Sequence, residues 1–204
     1  MTRAGRAAAT IAAGVVAGSY AAVRHGAAAS VDAPAHRLLT EHHGPVSDRI
    51  VGSFTDLGSI YALAGVATAL AARGRRSAAV DLAVTGGLAW VAAQAAKPLL
   101  RRPRPYELAS ATRTVAIPAG SSWPSGHAAL AAAMTDALWP RARPGTRTAM
   151  VLLTGAVGLS RCYVGVHHLT DVIAGAGVGV LSSRIGTLLR AQVESRVERG
   201  RRRA

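Results

Sequence analysis

Apolar residues in this chain are gathered into long runs instead of recurring at a helical or strand period. A run of about 20 apolar residues crosses a bilayer as a helix, and six segments approach this pattern: residues 7–23, 50–72, 77–96, 125–138, 148–166 and 169–189. The pattern predicts an all-α fold, a bundle of six transmembrane helices. We expect one domain over residues 1–204, with a basic tail from about residue 190 onward.

Two of these segments admit a second interpretation. Residues 125–138 are few and include Asp136, so this helix is a full span, a half-span or a buried helix of a soluble protein. Residues 7–23 follow Arg3 and Arg6 and precede small residues, as in a signal peptide. Because the apolar run is long for a signal core, we interpret it as an uncleaved first helix.

Composition and charge support a membrane protein and predict its orientation. Hydrophobic residues make up 50% of the 204 residues, and the formal net charge is +14. With the amino terminus inside, every inner segment is basic, as the positive-inside rule requires. These segments carry Arg3, Arg6, Arg73, Arg75, Arg76, Arg141, Arg143, Arg147, Arg190, Arg196, Arg199, Arg201, Arg202 and Arg203. Charge spread over loops in this way suits anionic lipid headgroups better than nucleic acid, so we expect no nucleic-acid partner.

Three short blocks carry the candidate chemistry. They contain Lys97 and Arg104 with six residues between them, then Ser125, Gly126 and His127 in sequence, then Arg161, His167 and Asp171 with gaps of five and three residues. In the six-helix arrangement all three blocks fall on the outer face. A transferring phosphoryl group needs positive charge and oriented donors around one point, and these residue types supply both.

The individual residues suit phosphoryl transfer. Arginine side chains offer a planar fork for two phosphate oxygens, whereas Lys97 offers a point charge. Ser125 and Gly126 begin a predicted helix, where free backbone N–H groups favour an anion. His167 and Asp171 are four residues apart and share one helix face, so the carboxylate can orient the imidazole.

Each block also has an ordinary structural interpretation. A basic, proline-containing segment after an apolar run is commonly a solvated loop at a membrane edge, and a Ser-Gly pair before a helix is commonly a cap. The adjacent His167 and His168 suggest a metal site, but no HExxH pattern or paired cysteines complete one. The order and spacing of all three blocks together favour the catalytic interpretation.

Taken together, the blocks resemble the type 2 phosphatidate phosphatase superfamily, in its bacterial integral-membrane branch. The resemblance implies that His167 attacks phosphorus to form a phosphohistidine, that Asp171 orients it, and that His127 protonates the leaving oxygen and then activates water. It also implies that the phosphate is bound by Lys97, Arg104, Ser125, Gly126 and Arg161, and that no metal or other cofactor takes part.

The expected function is that of a multi-pass plasma-membrane enzyme which hydrolyses a lipid phosphate or diphosphate at its extracytoplasmic face. A polyprenyl diphosphate such as undecaprenyl diphosphate is favoured, because that product of the envelope carrier cycle is released on the outer leaflet. Phosphatidate, phosphatidylglycerol phosphate and phosphotransfer to a lipid or sugar acceptor are the alternatives, and a non-catalytic lipid-binding protein is the least favoured. The partners expected are the lipid substrate and the bilayer, and the sequence indicates no oligomeric state.

Residues 31–49 form a further polar segment between the first two spans. It contains His36, His42 and His43, and its apolar positions roughly follow helical spacing. Two interpretations are equally favoured: a helix that lies along the membrane surface over the active site, or an ordinary polar loop.

Overall fold

The computed structural model describes residues 2–40, 43–108, 115 and 118–201. His42, Arg202 and Arg203 lie outside the described residues. Within the described ranges the chain forms nine α-helices and no strand: α1 Arg3–Arg24, α2 Ala29–Thr40, α3 Pro45–Phe54, α4 Ile60–Ala72, α5 Arg76–Ala96, α6 Pro105–Leu108, α7 Gly126–Leu138, α8 Pro144–Tyr163 and α9 Leu169–Arg201. Short 3₁₀ turns follow α3, α5 and α7 at Thr55–Gly58, Lys97–Leu99 and Trp139–Arg141.

The all-α prediction is confirmed, but the predicted count of six helices is wrong. Each of the six predicted segments is helical, and two further helices, α2 and α6, lie between them. The second predicted segment is divided into α3 and α4, which meet at 64°. The break occurs because the Ser59 side chain accepts a hydrogen bond from the Ala62 N–H and so caps a new helix.

Length and apolar composition identify fewer spans than predicted. In the described part of the chain, three helical stretches are long and apolar enough to cross a bilayer: Arg3–Arg24, Arg76–Leu99 and Leu169–Arg201. The bent pair Pro45–Gly58 and Ile60–Ala72 makes a fourth if it is counted as one span. Helix α7 has only 13 residues, so it rises about 20 Å, less than the hydrocarbon thickness of about 30 Å.

Helix α9 lies at the centre of the bundle and packs against α1, α5 and α7. Two glycines permit the close approach of α7. A Cβ atom on Gly175 would lie 2.3 Å from the Ser125 carbonyl oxygen, and one on Gly179 would lie 2.2 Å from that of Ala129. Backbone therefore packs directly on backbone, which fixes the start of α7 against the start of α9.

Helix α1 is bound to the same end of α9. The Ser19 hydroxyl donates to the Thr170 carbonyl oxygen at 2.9 Å and accepts from the indole N–H of Trp123 at 3.1 Å. Ser19 and Trp123 are both buried. The first apolar run thus packs against the start of α9; its retention as an uncleaved helix stays a prediction.

Candidate active site

Four helix ends meet where the candidate residues lie. Helices α5 and α8 end there, and α7 and α9 begin there, at Lys97, Arg161, Ser125 and Asp171 respectively. All eight residues proposed from the sequence therefore lie at the same end of the bundle.

His167 and Asp171 face each other in the buried part of this end. The His167 side chain is 4% exposed, and that of Asp171 is fully buried. His167 Nδ1 lies 3.7 Å from Asp171 Oδ2, which is ion-pair distance but too long for a hydrogen bond. The Asp171 carboxylate accepts from the Ser122 hydroxyl and from the His168 N–H at 2.8 Å, so its position is well fixed.

The electrostatics around His167 favour a neutral ring. His167 lies in the turn between α8 and α9, where burial lowers its pKa to about 4. The positive charges of Arg104 and Lys97 lower the pKa further, whereas Asp171 opposes the shift. At neutral pH the imidazole is therefore uncharged and can act as a nucleophile.

His127 and Arg161 converge on Asp56, a residue that the sequence analysis did not place in the site. His127 Nε2 lies 3.4 Å from Asp56 Oδ1, and an Arg161 terminal nitrogen lies 3.8 Å from the same oxygen. Asp56 occupies the 3₁₀ turn between α3 and α4 and is 78% exposed. The helix break thus brings a carboxylate to the ring of His127.

The Arg161 guanidinium group is held by the Thr55 hydroxyl, which in turn contacts that of Ser160. It donates to Thr55 Oγ1 at 2.8 Å, and that oxygen also lies 2.8 Å from Ser160 Oγ. All three side chains are buried. The buried Nε of Arg161 has no hydrogen-bond partner among the described residues, so this donor remains available to an anion.

Lys97 and Arg104 donate to one carbonyl oxygen, that of Ser121, at 2.8 and 3.2 Å. Arg104 is 1% exposed, and its guanidinium group also donates to the carbonyl oxygens of Ala119, Gly120 and Val166. Arg104 therefore joins the loop before α7 to the residue that precedes His167. Its role as a direct phosphate ligand stays a prediction.

The start of α7 has the geometry of a capped helix N-terminus. The Ser125 side chain accepts from the Ala128 N–H at 3.4 Å, while the Ser125 N–H donates to the Asp171 carbonyl oxygen at 3.0 Å. Ser125 is fully buried. The first N–H groups of α7, which include that of Gly126, have no partner within the helix and lie beside His127.

A buried ion-pair network behind Asp171 was also missed by the sequence analysis. Arg102 donates to Asp171 Oδ1 at 2.5 Å, to Thr170 Oγ1 at 2.7 Å and to Asp32 Oδ2. Asp32, on α2, also accepts from the Thr170 N–H at 2.9 Å. Residues 29–40 are helical and pack on this end of the bundle, so this part of segment 31–49 is not a loop; its position along the membrane surface stays a prediction.

The other histidines of that segment have separate contacts. His36 lines a cavity of about 550 Å³ between α1, α2 and residues 100–108. His43 stacks on Tyr163 with ring centroids 4.3 Å apart and lies 3.1 Å from Asp48. Among the described residues, no three His, Cys, Asp or Glu side chains are grouped closely enough to hold a metal ion.

The cavity that His36 lines has a mainly apolar wall and reaches the site at Arg102 and His168. A second cavity of about 450 Å³ lies on the other side of residues 101–103 and includes Lys97 and Ser121 in its wall. Cationic groups and apolar surface are therefore adjacent at this end of the bundle.

The sequence also matches a known protein family. The profile of the PAP2 superfamily matches residues 78–194, which contain all three blocks and all eight proposed site residues. The chain belongs to the PAP2 superfamily. Membership makes it a phosphatase, and its apolar helices make it a multi-pass membrane protein. Asp32 and Asp56 lie before the matched region.

Two solved PAP2 proteins have similar folds. Aquifex aeolicus LpxE superposes with a TM-score of 0.70 at 26% sequence identity, over 77% of this chain and 94% of that chain. A transmembrane PAP2-type phosphatidylglycerolphosphate phosphatase from Bacillus subtilis superposes with a TM-score of 0.77 at 20% identity, over 91% of this chain and 96% of that chain. Both likenesses support the PAP2 fold.

Proposed function

We propose that this PAP2 protein hydrolyses lipid phosphates or diphosphates through a phosphohistidine on His167. The observation that carries the proposal is the buried His167–Asp171 pair, with Nδ1 facing the carboxylate at 3.7 Å. Because Nδ1 faces Asp171, Nε2 is the nitrogen that attacks phosphorus. The low pKa of His167, about 4, keeps this nitrogen unprotonated.

The reaction then proceeds in two displacements. In the first, Nε2 forms a bond to phosphorus as the phosphorus–oxygen bond to the lipid breaks, and His127 gives a proton to the leaving oxygen. In the second, His127 takes a proton from water, the water oxygen attacks phosphorus, and the bond to His167 breaks to release inorganic phosphate. Asp56, 3.4 Å from His127 Nε2, favours the protonated form of this acid, whereas burial and the charge of Arg161 lower the pKa of His127 to about 4.

Positive charge stabilises both transition states. Lys97, Arg104 and Arg161 are the cations, and the Gly126 N–H is the backbone donor, because the Ser125 N–H already donates to the Asp171 carbonyl oxygen. Arg161 offers a buried Nε without a partner among the described residues. Neither step calls for a metal ion or an organic cofactor.

A lipid substrate fits the surroundings of the site. The cavity of about 550 Å³ combines apolar walls with Arg102 and His168, which suits a headgroup that stays attached to a hydrocarbon tail. We favour a polyprenyl diphosphate such as undecaprenyl diphosphate, on the outer-leaflet argument given above. A glycerolipid phosphate is the second candidate, because one structural neighbour is named as a phosphatidylglycerolphosphate phosphatase.

The distribution of arginines supports an active site on the extracytoplasmic side. Arginines are numerous at the opposite end of the bundle, around the α4–α5 turn and the α7–α8 connection, where the positive-inside rule expects the cytoplasm.

Phosphate release from detergent-solubilised protein tests the proposal. The panel contains undecaprenyl diphosphate, phosphatidate and phosphatidylglycerol phosphate, without any acceptor alcohol. We expect release of inorganic phosphate, fastest from the polyprenyl diphosphate. Release only after addition of an acceptor would indicate a phosphotransferase, and no release from any member would contradict the assignment.

A further inference from the structure

A cavity of about 490 Å³ lies between the α4–α5 turn and the connection from α7 to α8. All of its charged lining residues are arginines, namely Arg75, Arg76, Arg141 and Arg143. These elements are at the far ends of α5 and α8 from Lys97 and Arg161. The cavity is therefore separate from the candidate active site, about 30 Å away along the 21 residues of α5.

The charge of this cavity is only partly neutralised by the protein. Asp81 binds Arg141 and Arg190, each at 2.5 Å, so one carboxylate is shared by two guanidinium groups. In the described part of the chain, the side chains of Arg75, Arg76 and Arg143 form no hydrogen bond or ion pair with the protein. All three residues are exposed, so their guanidinium donors are open to a ligand from outside this chain, and guanidinium groups favour an anion.

The position of the cavity indicates a lipid rather than a soluble anion. It lies where α5, which is long enough to cross the bilayer, meets the membrane boundary. Close to it on α5, the apolar side chain of Val80 is 49% exposed. Trp139 is 39% exposed with the Arg147 guanidinium over its ring at 5.2 Å, an arrangement typical of the membrane interface.

We infer that this arginine-lined cavity binds the phosphate headgroup of an anionic phospholipid, in the leaflet opposite the active site. Basic pockets between transmembrane helices bind anionic headgroups in this way, because the guanidinium groups pair with phosphate while acyl chains stay on adjacent apolar surface. The inference does not depend on the proposed reaction.

Native mass spectrometry of the full-length protein in a non-ionic detergent tests the inference. Phosphatidylglycerol and phosphatidylcholine with the same acyl chains are titrated separately, and the dissociation constant of the first bound lipid is measured. The test variant is Arg75→Gln with Arg143→Gln, which leaves every described hydrogen bond in place. The matched control is Arg3→Gln with Arg6→Gln, which removes the same charge at the same end of the bundle.

We expect saturable binding of phosphatidylglycerol, with phosphatidylcholine at least about tenfold weaker. Removal of two arginines near a membrane surface should weaken phosphatidylglycerol binding about 30-fold in the test variant. The control variant should bind this lipid as the natural sequence does. Equal binding of both lipids, or equal losses in the test variant and the control, would overturn the inference.

Two further measurements identify other sites that would also bind phosphatidylglycerol. Displacement of phosphatidylglycerol by inorganic phosphate at millimolar concentration would show a soluble-anion site and overturn the lipid assignment. Loss of binding in Lys97→Gln but not in the double variant would place the lipid at the active site, which also overturns it.

Discussion

Replacing Arg102 with methionine is predicted to destabilise the protein strongly, although Arg102 is not one of the motif residues. Its guanidinium group joins Asp32 to Asp171, and these side chains are 6% and 0% exposed. Methionine fills a similar volume but carries no charge. Two buried carboxylates then lose their cationic partner.

The magnitude follows from burial. Removing one partner of a buried ion pair costs about 3–5 kcal/mol. Both carboxylates keep other donors, since Asp32 accepts from Thr170 N at 2.9 Å and Asp171 accepts from His168 N at 2.8 Å. We therefore expect the lower value, about 3 kcal/mol. For 204 residues, this corresponds to a fall in Tm of about 6–12 °C.

Thermal unfolding in detergent measures the effect in four proteins: the natural sequence, Arg102→Met, Asp32→Asn and the double variant. The two substitutions should be less than additive, because the residues form one ion pair. Arg101→Met is the control for loss of charge, since Arg101 is exposed and should change stability by at most about 0.5 kcal/mol. A Tm for Arg102→Met within about 2 °C of the Arg101 control would refute the reasoning, because the expected loss is several times larger.

Three further predictions follow from the site and its packing. Asp56→Asn should lower kcat about 10- to 100-fold, because the protonated form of His127 loses its carboxylate partner; unchanged kcat in a phosphate-release assay would remove Asp56 from the site. The pKa of His167 is about 4 when folded, against 6.5 ordinarily, so its contribution to stability is complete above pH 6.5 and is lost as the pH falls towards 4. As the pH falls from 6.5 to 4, the free energy of unfolding of the His167→Gln variant should therefore decrease by about 3 kcal/mol less than that of the natural sequence. An identical pH dependence of the two proteins would contradict a buried neutral ring. Gly179→Ala should destabilise by about 1–3 kcal/mol, since its Cβ would lie 2.2 Å from backbone, whereas Gly14→Ala has no atom within 4 Å; equal Tm values for the two variants would argue against the close α7–α9 contact.

The contacts within each motif could be predicted because they are set by local geometry. His167 and Asp171 are four residues apart, and the structure places Nδ1 of the first 3.7 Å from Oδ2 of the second. The predicted shared helix face is wrong, because His167 lies in the turn before α9 begins at Leu169. Ser125 caps α7, as its position before an apolar run indicated. Such relations span one or two turns of chain and are visible in spacing alone.

Asp32 and Asp56 could not be predicted, because their partners are distant in sequence. Asp32 contacts Arg102 across 70 positions, and Asp56 contacts His127 across 71. Only the packing of α2 on α9, and the break between α3 and α4, brings them to the site. Asp56 lies within the predicted apolar segment 50–72, and nothing in the pattern indicates the partner of its carboxylate.

Helix boundaries also depended on features that hydropathy does not measure. Helix α9 continues to Arg201, twelve residues beyond the predicted end at 189, through a polar stretch with an Arg190–Glu194 pair at i, i+4. Such pairs stabilise a helix in water but lower the mean hydropathy. The break at Thr55–Gly58 was missed for the opposite reason, because the residues on both sides of it are apolar.

The central claim is that His167 carries the phosphoryl group, and rapid quench followed by mass spectrometry tests it most directly. The purified enzyme is mixed with excess lipid phosphate, quenched in alkali to preserve phosphohistidine, and digested. The account predicts a phosphoryl group on His167, retained in a His168→Ala control and lost together with turnover in His167→Ala. Phosphorylation of another residue, or near-normal turnover in His167→Ala, would contradict it.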